Sequence, residues 1–154
     1  MRKFDEASRA KKKSRIQLPL NPDNLSRERL LELEALVGRS LKEGYLPCPV
    51  AWKIARQAGV SRLAVGEVVD RLGIRICDCQ IGFFSKEKTV YSDPGNQDTD
   101  VKLLEELKTQ DETDQLTCAK VFDISRNFRL KPLTVSHHAG ALGLKIQQCQ
   151  LGCF

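Results

Sequence analysis

A stretch of 39 residues occurs twice in this chain, 70 positions apart and without a gap, and no other feature restricts the fold as tightly. LPCPVAWKIARQAGVSRLAVGEVVDRLGIRICDCQIGFF (46–84) lies over LTCAKVFDISRNFRLKPLTVSHHAGALGLKIQQCQLGCF (116–154). Thirteen positions are identical, several times what chance would give, among them Leu46/Leu116, Cys48/Cys118, Val65/Val135, Gly73/Gly143, Cys79/Cys149, Gln80/Gln150, Gly82/Gly152 and Phe84/Phe154. Ahead of each copy, ERLLELEALVGRSLKEG and DVKLLEELKTQDET both place leucines at helical spacing, so each unit is longer than the matched stretch. The duplication predicts two similar small domains. The expected boundaries are a flexible basic arm at 1–22, a first domain at 23–91, a linker at 92–99 carrying the turn signal Asp93-Pro94-Gly95-Asn96, and a second domain at 100–154.

Charge is spread unevenly over these parts. Residues 1–15 hold seven basic side chains against Asp5 and Glu6, which accounts for the whole net charge of +5. Both copies are net positive, while residues 85–115 carry four basic and nine acidic groups, so attraction to a polyanion is expected at the arm and the copies. No apolar run approaches the roughly 18 residues of a membrane span, and the opening segment lacks the apolar core of a secretory signal. The expectation is a cytoplasmic protein without a membrane partner, in which the six cysteines stay reduced.

Within the first copy, Pro49 suits the opening turn of a helix, and Val50, Ala51, Ile54, Ala55 and Ala58 follow at helical spacing. Gly59 permits a left-handed turn, Ser61 is a good N-cap for a second helix RLAVGEVVDRLG, and Gly73 closes it. A small Ala55 four residues before the turn glycine, with Val60, Val65 and Val68 after it, resembles the helix-turn-helix motif. The branched and aromatic IRICDCQIGFF reads as a strand, with TVY as its return partner around a tip GFFSKEK. Together these resemble the winged helix over roughly residues 28–91. The second copy is degenerate, with Arg129 in place of the turn glycine and Ser125 in place of the alanine, although Lys131 and Pro132 still offer a helix start. Its last strand needs a neighbour, either the matching strand of copy one or another protomer. The expected fold is mainly α with small β-wings, as two tandem winged-helix-like domains.

The resemblance implies a small DNA-binding protein, a transcriptional regulator or architectural factor of prokaryotic type. Its second motif helix would lie in the major groove of double-stranded DNA. Ser61, Arg62 and Gly66 are the candidate DNA-binding residues of copy one, Arg62 being the best reader of a base or phosphate, although Glu67 and Asp70 face the same way and would repel phosphate. Lys131, Thr134, Ser136 and His137 offer a better-suited face in copy two. Lys86 and Lys88 at the wing tip, with Lys11, Lys12, Lys13 and Arg15 in the arm, add phosphate contacts. Two domains in one chain can act as a covalent pseudo-dimer, and a homodimer is the other assembly open to it.

The competing class is a protein-interaction adaptor without nucleic acid, in which the repeated C-Q-[IL]-G-x-F strand docks on a partner protein or on its twin. A third is a thiol or metal sensor built on Cys48, Cys79, Cys118 and Cys149, but no C-x-x-C spacing supports a zinc ribbon, and small cysteines commonly fill cores. No cofactor and no small-molecule substrate is indicated, and no enzyme is expected. His137 and His138 are adjacent and lack a cysteine or carboxylate at the spacing of a nucleophile and base. Trp52 aligns with Phe122, which predicts a shared core or interface position and not a stacking platform.

Overall fold

The computed structural model describes residues 5–84, 97–113 and 115–154, without the side chains of 97–100 and 110–113. The described chain is mainly helical with one small two-stranded sheet. It divides into two compact units, and their limits differ from the expected 23–91 and 100–154. The first unit joins the described residues up to Cys79 with Phe84 and with Gln150–Phe154, and the second joins Gln80–Phe83 with the described residues from 97 to Cys149. The tail of each repeat thus belongs mostly to the unit built by the other.

The first unit opens with α1 (Glu6–Lys13), where a flexible arm was expected. Asp5 caps it by accepting the Ser8 N–H at 2.8 Å, while Lys11, Lys12 and Lys13 sit in the last turn, where the helix dipole favours cations. Helix α2 (Arg27–Arg39), capped by Ser26, buries Leu33 and Val37 from one face. Strand β1 (Tyr45–Pro47) leads directly into α3 (Cys48–Ala58), which buries Ala51, Ile54 and Ala55 and has proline in its first turn. Gly59 stops α3 at φ 64° and ψ 40°, and the Val60 N–H returns to the Ala55 carbonyl at 3.0 Å. Ser61 then accepts the Ala64 N–H at 3.1 Å and starts α4 (Arg62–Arg71). After Gly73, with φ 69°, the chain enters β2 (Arg75–Cys77).

Strand β2 runs parallel to β1, pairing Leu46 with Ile76 and Pro47 with Cys77. A parallel pair needs a crossover, and α3 with α4 supplies it. This corrects the expected wing in two respects. The strand ends at Cys77, because Asp78 adopts φ 50° and leaves extended space, and its partner lies upstream of α3. The proposed return strand TVY, and with it Lys86 and Lys88, lies outside the described residues.

The second unit repeats the plan with other residues. Helix α5 (Gln97–Thr113) begins inside the expected linker and buries Leu103 and Leu107, one turn apart, as α2 buries Leu33 and Val37. Helix α6 (Cys118–Phe128) ends at Arg129 with φ 54° and ψ 36°, close to the conformation of Gly59, and α7 (Pro132–Ala141) follows. Thr117 bridges Gln147 in parallel, the position equivalent to Pro47 and Cys77. In each unit the fully buried side chains come from all three helices of the plan: Val37, Ala51 and Val65 in one, Leu107, Val121 and Val135 in the other. Burying a valine or leucine in this way stabilises by about 1.5–3 kcal/mol.

Candidate interaction interface

Helix α4 is buried around most of its circumference. Ala64, Val65, Gly66, Glu67, Val68 and Val69 are consecutive and all buried, whereas a surface recognition helix would leave about half of such a run in water. Val65 and Val68 face the core made with α2 and α3, so two other elements of the first unit must cover the remaining faces.

One cover is the C-terminal strip Gln150–Phe154. Leu151 is 1% exposed, and its backbone lies on Gly66 so closely that a Cβ built there would fall on the Leu151 carbonyl, with the carbonyl carbon at 2.8 Å. Only glycine admits that approach. At the N-terminal end of α4, the Arg62 guanidinium rests on the Trp52 ring, 3.6 Å from its centroid, and donates a hydrogen bond to the Gln150 side-chain carbonyl. The strip continues through Gly152, at φ 67°, where a Cβ would fall on the Leu18 side chain, to Phe154, whose ring lies 6.0 Å from that of Phe84. Ile81, aligned with Leu151 by the repeat, is likewise buried.

The other cover is α1. Lys12 pairs with Asp70 at 2.5 Å, and the Arg9 guanidinium reaches the Arg71 carbonyl at 3.5 Å. Burial pushes the Asp70 carboxyl above the usual carboxylate range, against the opposing pull of the hydrogen bond and charge of Lys12 and the charges of Arg9 and Lys13. Arg71 in turn pairs with Glu34 and, at 3.3 Å, with Glu67.

Several expected exposures are corrected by this arrangement. Gly66 is buried under backbone, Glu67 is 7% exposed, and Asp70 faces cations instead of repelling phosphate. Arg62 does not project outward but is held between Trp52 and Gln150, which also makes Trp52 the stacking platform it was not expected to be. Ser61 spends its hydroxyl on the helix cap and its N–H on the Asp23 carboxylate, at 2.5 Å. Of the arm residues, Lys11, Lys13 and Arg15 are exposed and Lys12 is half-buried. In the second unit Lys131 is exposed, while Thr134, Ser136 and His137 are half-buried.

Cys48 and Cys118 are buried and Cys79 and Cys149 half-buried. No three His, Cys, Asp or Glu side chains among the described residues group as metal ligands. No described helix is long and apolar enough to cross a membrane. Neither a protein-family model, nor a curated protein, nor a solved structure matches the chain.

Proposed function

We propose that the chain is a protein-interaction module, in which the α3–turn–α4 pair, which resembles a helix-turn-helix, grips a turn-forming Gln-Leu-Gly-x-Phe strip. The observation that carries this reading is the Leu151 backbone lying directly on Gly66 while Arg62, stacked on Trp52, takes the Gln150 side chain. The close backbone contact gives the strip its seat, and the glutamine contact gives selectivity for its side chain. The same residues are the ones a DNA reader would need free. A duplex reaching Arg62 and Gly66 would have to displace the strip, and one lying along α4 would also have to break the Lys12–Asp70 pair.

In the full-length chain, Leu151→Asp should expel the strip and open its groove, with a change in the fluorescence of Trp52, the chain's one tryptophan. A labelled peptide Gln-Leu-Gly-Cys-Phe should then bind this variant and not the parent chain, and adding Gly66→Val should abolish binding. Failure of the peptide to bind the opened variant sinks the reading.

DNA binding, by a transcriptional regulator or architectural factor, is the second reading, favoured by the exposed Lys11, Lys13, Arg15 and Lys131. It requires a tight, sequence-selective duplex complex of the parent chain that Arg62→Ala abolishes. Weak binding with a steep salt dependence, lost together with residues 1–15, credits the basic segment alone.

A further inference from the structure

Within the first unit, α1 and the segment after it do not close completely on α4. They leave a cavity of about 250 Å³, lined by Arg9, Lys12, Lys13, Glu67, Asp70 and Arg71 together with Ile16, Leu18 and Leu20. Six charged groups in such a space can be sorted by what already satisfies them. Lys12 is matched by Asp70, and Arg71 by Glu34 and Glu67, so among the described residues Arg9 and Lys13 are the cations of the cavity wall that form no ion pair of their own, although both charges also act on Asp70. Arg9 is the less satisfied of the two. Its Nε is buried and has no hydrogen-bond partner among the described residues, and the one bond described for its guanidinium is the long 3.5 Å contact to the Arg71 carbonyl.

A buried donor without an acceptor destabilises the fold, the more so when it is charged, and an anion placed beside it removes that cost. The apolar lining limits what the anion can be. The half-buried Ile16 and Leu18 offer nothing to a fully hydrated phosphate, but they can cover a short hydrocarbon chain, while Glu67 and Asp70 disfavour a second negative charge.

We infer that this cavity binds a small monocarboxylate with a short apolar chain, its carboxylate on the Arg9 guanidinium and Lys13 and its hydrocarbon against Ile16 and Leu18. This goes beyond the strip-binding reading and does not depend on it. Leu18 borders both the cavity and Gly152, so an occupant touches the side chain on which the end of the strip rests.

Calorimetric titration of the full-length chain tests the assignment with three probes: sodium hexanoate, hexanol and inorganic phosphate. Hexanoate should bind with one site per chain, and the other two at least tenfold more weakly. Arg9→Gln should weaken hexanoate at least tenfold, whereas Lys42→Gln, remote from the cavity lining, should leave it unchanged. Because Arg9→Gln could loosen α1, its helix content is compared by circular dichroism. Leu18→Ala, which leaves every charge in place, should weaken hexanoate several-fold and have no effect on acetate. Equal binding of hexanol and hexanoate, phosphate binding as tightly as hexanoate, no heat with hexanoate, or an unchanged affinity in Arg9→Gln would each overturn the proposal.

Discussion

The turns of α3–α4 and α6–α7 have nearly the same backbone and are made by different chemistry. In the first, glycine occupies the left-handed position without strain; in the second, Arg129 occupies it, in a conformation that disfavours L side chains by about 1–2 kcal/mol. Other bonds accompany the arginine. Ser125, where the first unit has Ala55, is buried and donates its hydroxyl proton to the Leu130 carbonyl at 2.6 Å, while its own carbonyl accepts the Leu130 N–H at 2.9 Å. The caps are redistributed as well. Thr117 caps α6 through its side chain, whereas α3 has no such bond; Ser61 caps α4, whereas α7 begins with Pro132 and an uncapping Lys131. What the second copy lacks is the gripping set, since Arg62 is replaced by Pro132 and Gly66 by Ser136. The scaffold is kept through exchanged local solutions, while these two contact residues differ between the copies.

The sharpest way to break this comparison is at its least exchangeable position. Gly66→Val should cost about 3 kcal/mol by overpacking against the Leu151 backbone and should raise the protease sensitivity of residues 150–154, read by urea midpoint and limited proteolysis. Ser136→Ala, at the equivalent site, should change stability by no more than about 0.5 kcal/mol in either direction. An equal loss at both positions would mean that the two helices are covered alike.

Next come the turns. Arg129→Gly should gain about 1 kcal/mol by releasing left-handed strain, and Gly59→Ala should lose about 1 kcal/mol, measured as opposite shifts of the urea midpoint. Ser125→Ala should lose about 1 kcal/mol with its buried hydrogen bond, and Ser61→Ala about 1 kcal/mol with its cap. If Arg129→Gly proves neutral, the entropy that glycine adds to the unfolded chain offsets the released strain.

The smallest effect is a pH dependence confined to the first unit. The folded Asp70 carboxyl titrates above its ordinary 3.8, so the folded state holds the proton more tightly than the unfolded chain. Its contribution is therefore fully present below 3.8 and is lost as pH rises through the elevated folded value. Asp70→Asn should remove that component. The difference in stability between variant and parent should vary across the acidic carboxylate range and be flat above it, and a difference that is flat throughout would place Asp70 in water.

Much of the local structure was legible in the sequence because it rests on single residues with one physical meaning. Pro49, Gly59, Ser61 and Gly73 punctuate the helices where their backbone preferences require, and the repeat carried the same plan to α6 and α7 through Arg129. The strand pairing was not legible, since β-branched composition marks a strand without naming its partner, and three-residue strands leave no register signal. Nor was the burial of α4. Arg62, Glu67 and Asp70 read as a solvated face because charged side chains usually are, and here Arg62 and Asp70 have partners far away in sequence, Gln150 and Lys12, while Glu67 pairs one turn along its own helix with Arg71, which is held also by the distant Glu34. The identity of Gln80 with Gln150 and of Gly82 with Gly152 was the one available sign, pointing to a docked strip without indicating its seat.

Because Gln150–Phe154 completes the unit built mainly from residues up to Cys79, that unit cannot finish folding in the order in which it is made. On a ribosome adding roughly 5–20 residues per second, the last piece arrives several seconds after β2 has emerged. Until then α4 presents a bare apolar flank around Gly66. During that interval the nascent chain is open to the same contact from any passing polypeptide, and a chaperone or a co-translational partner would find it at its most receptive.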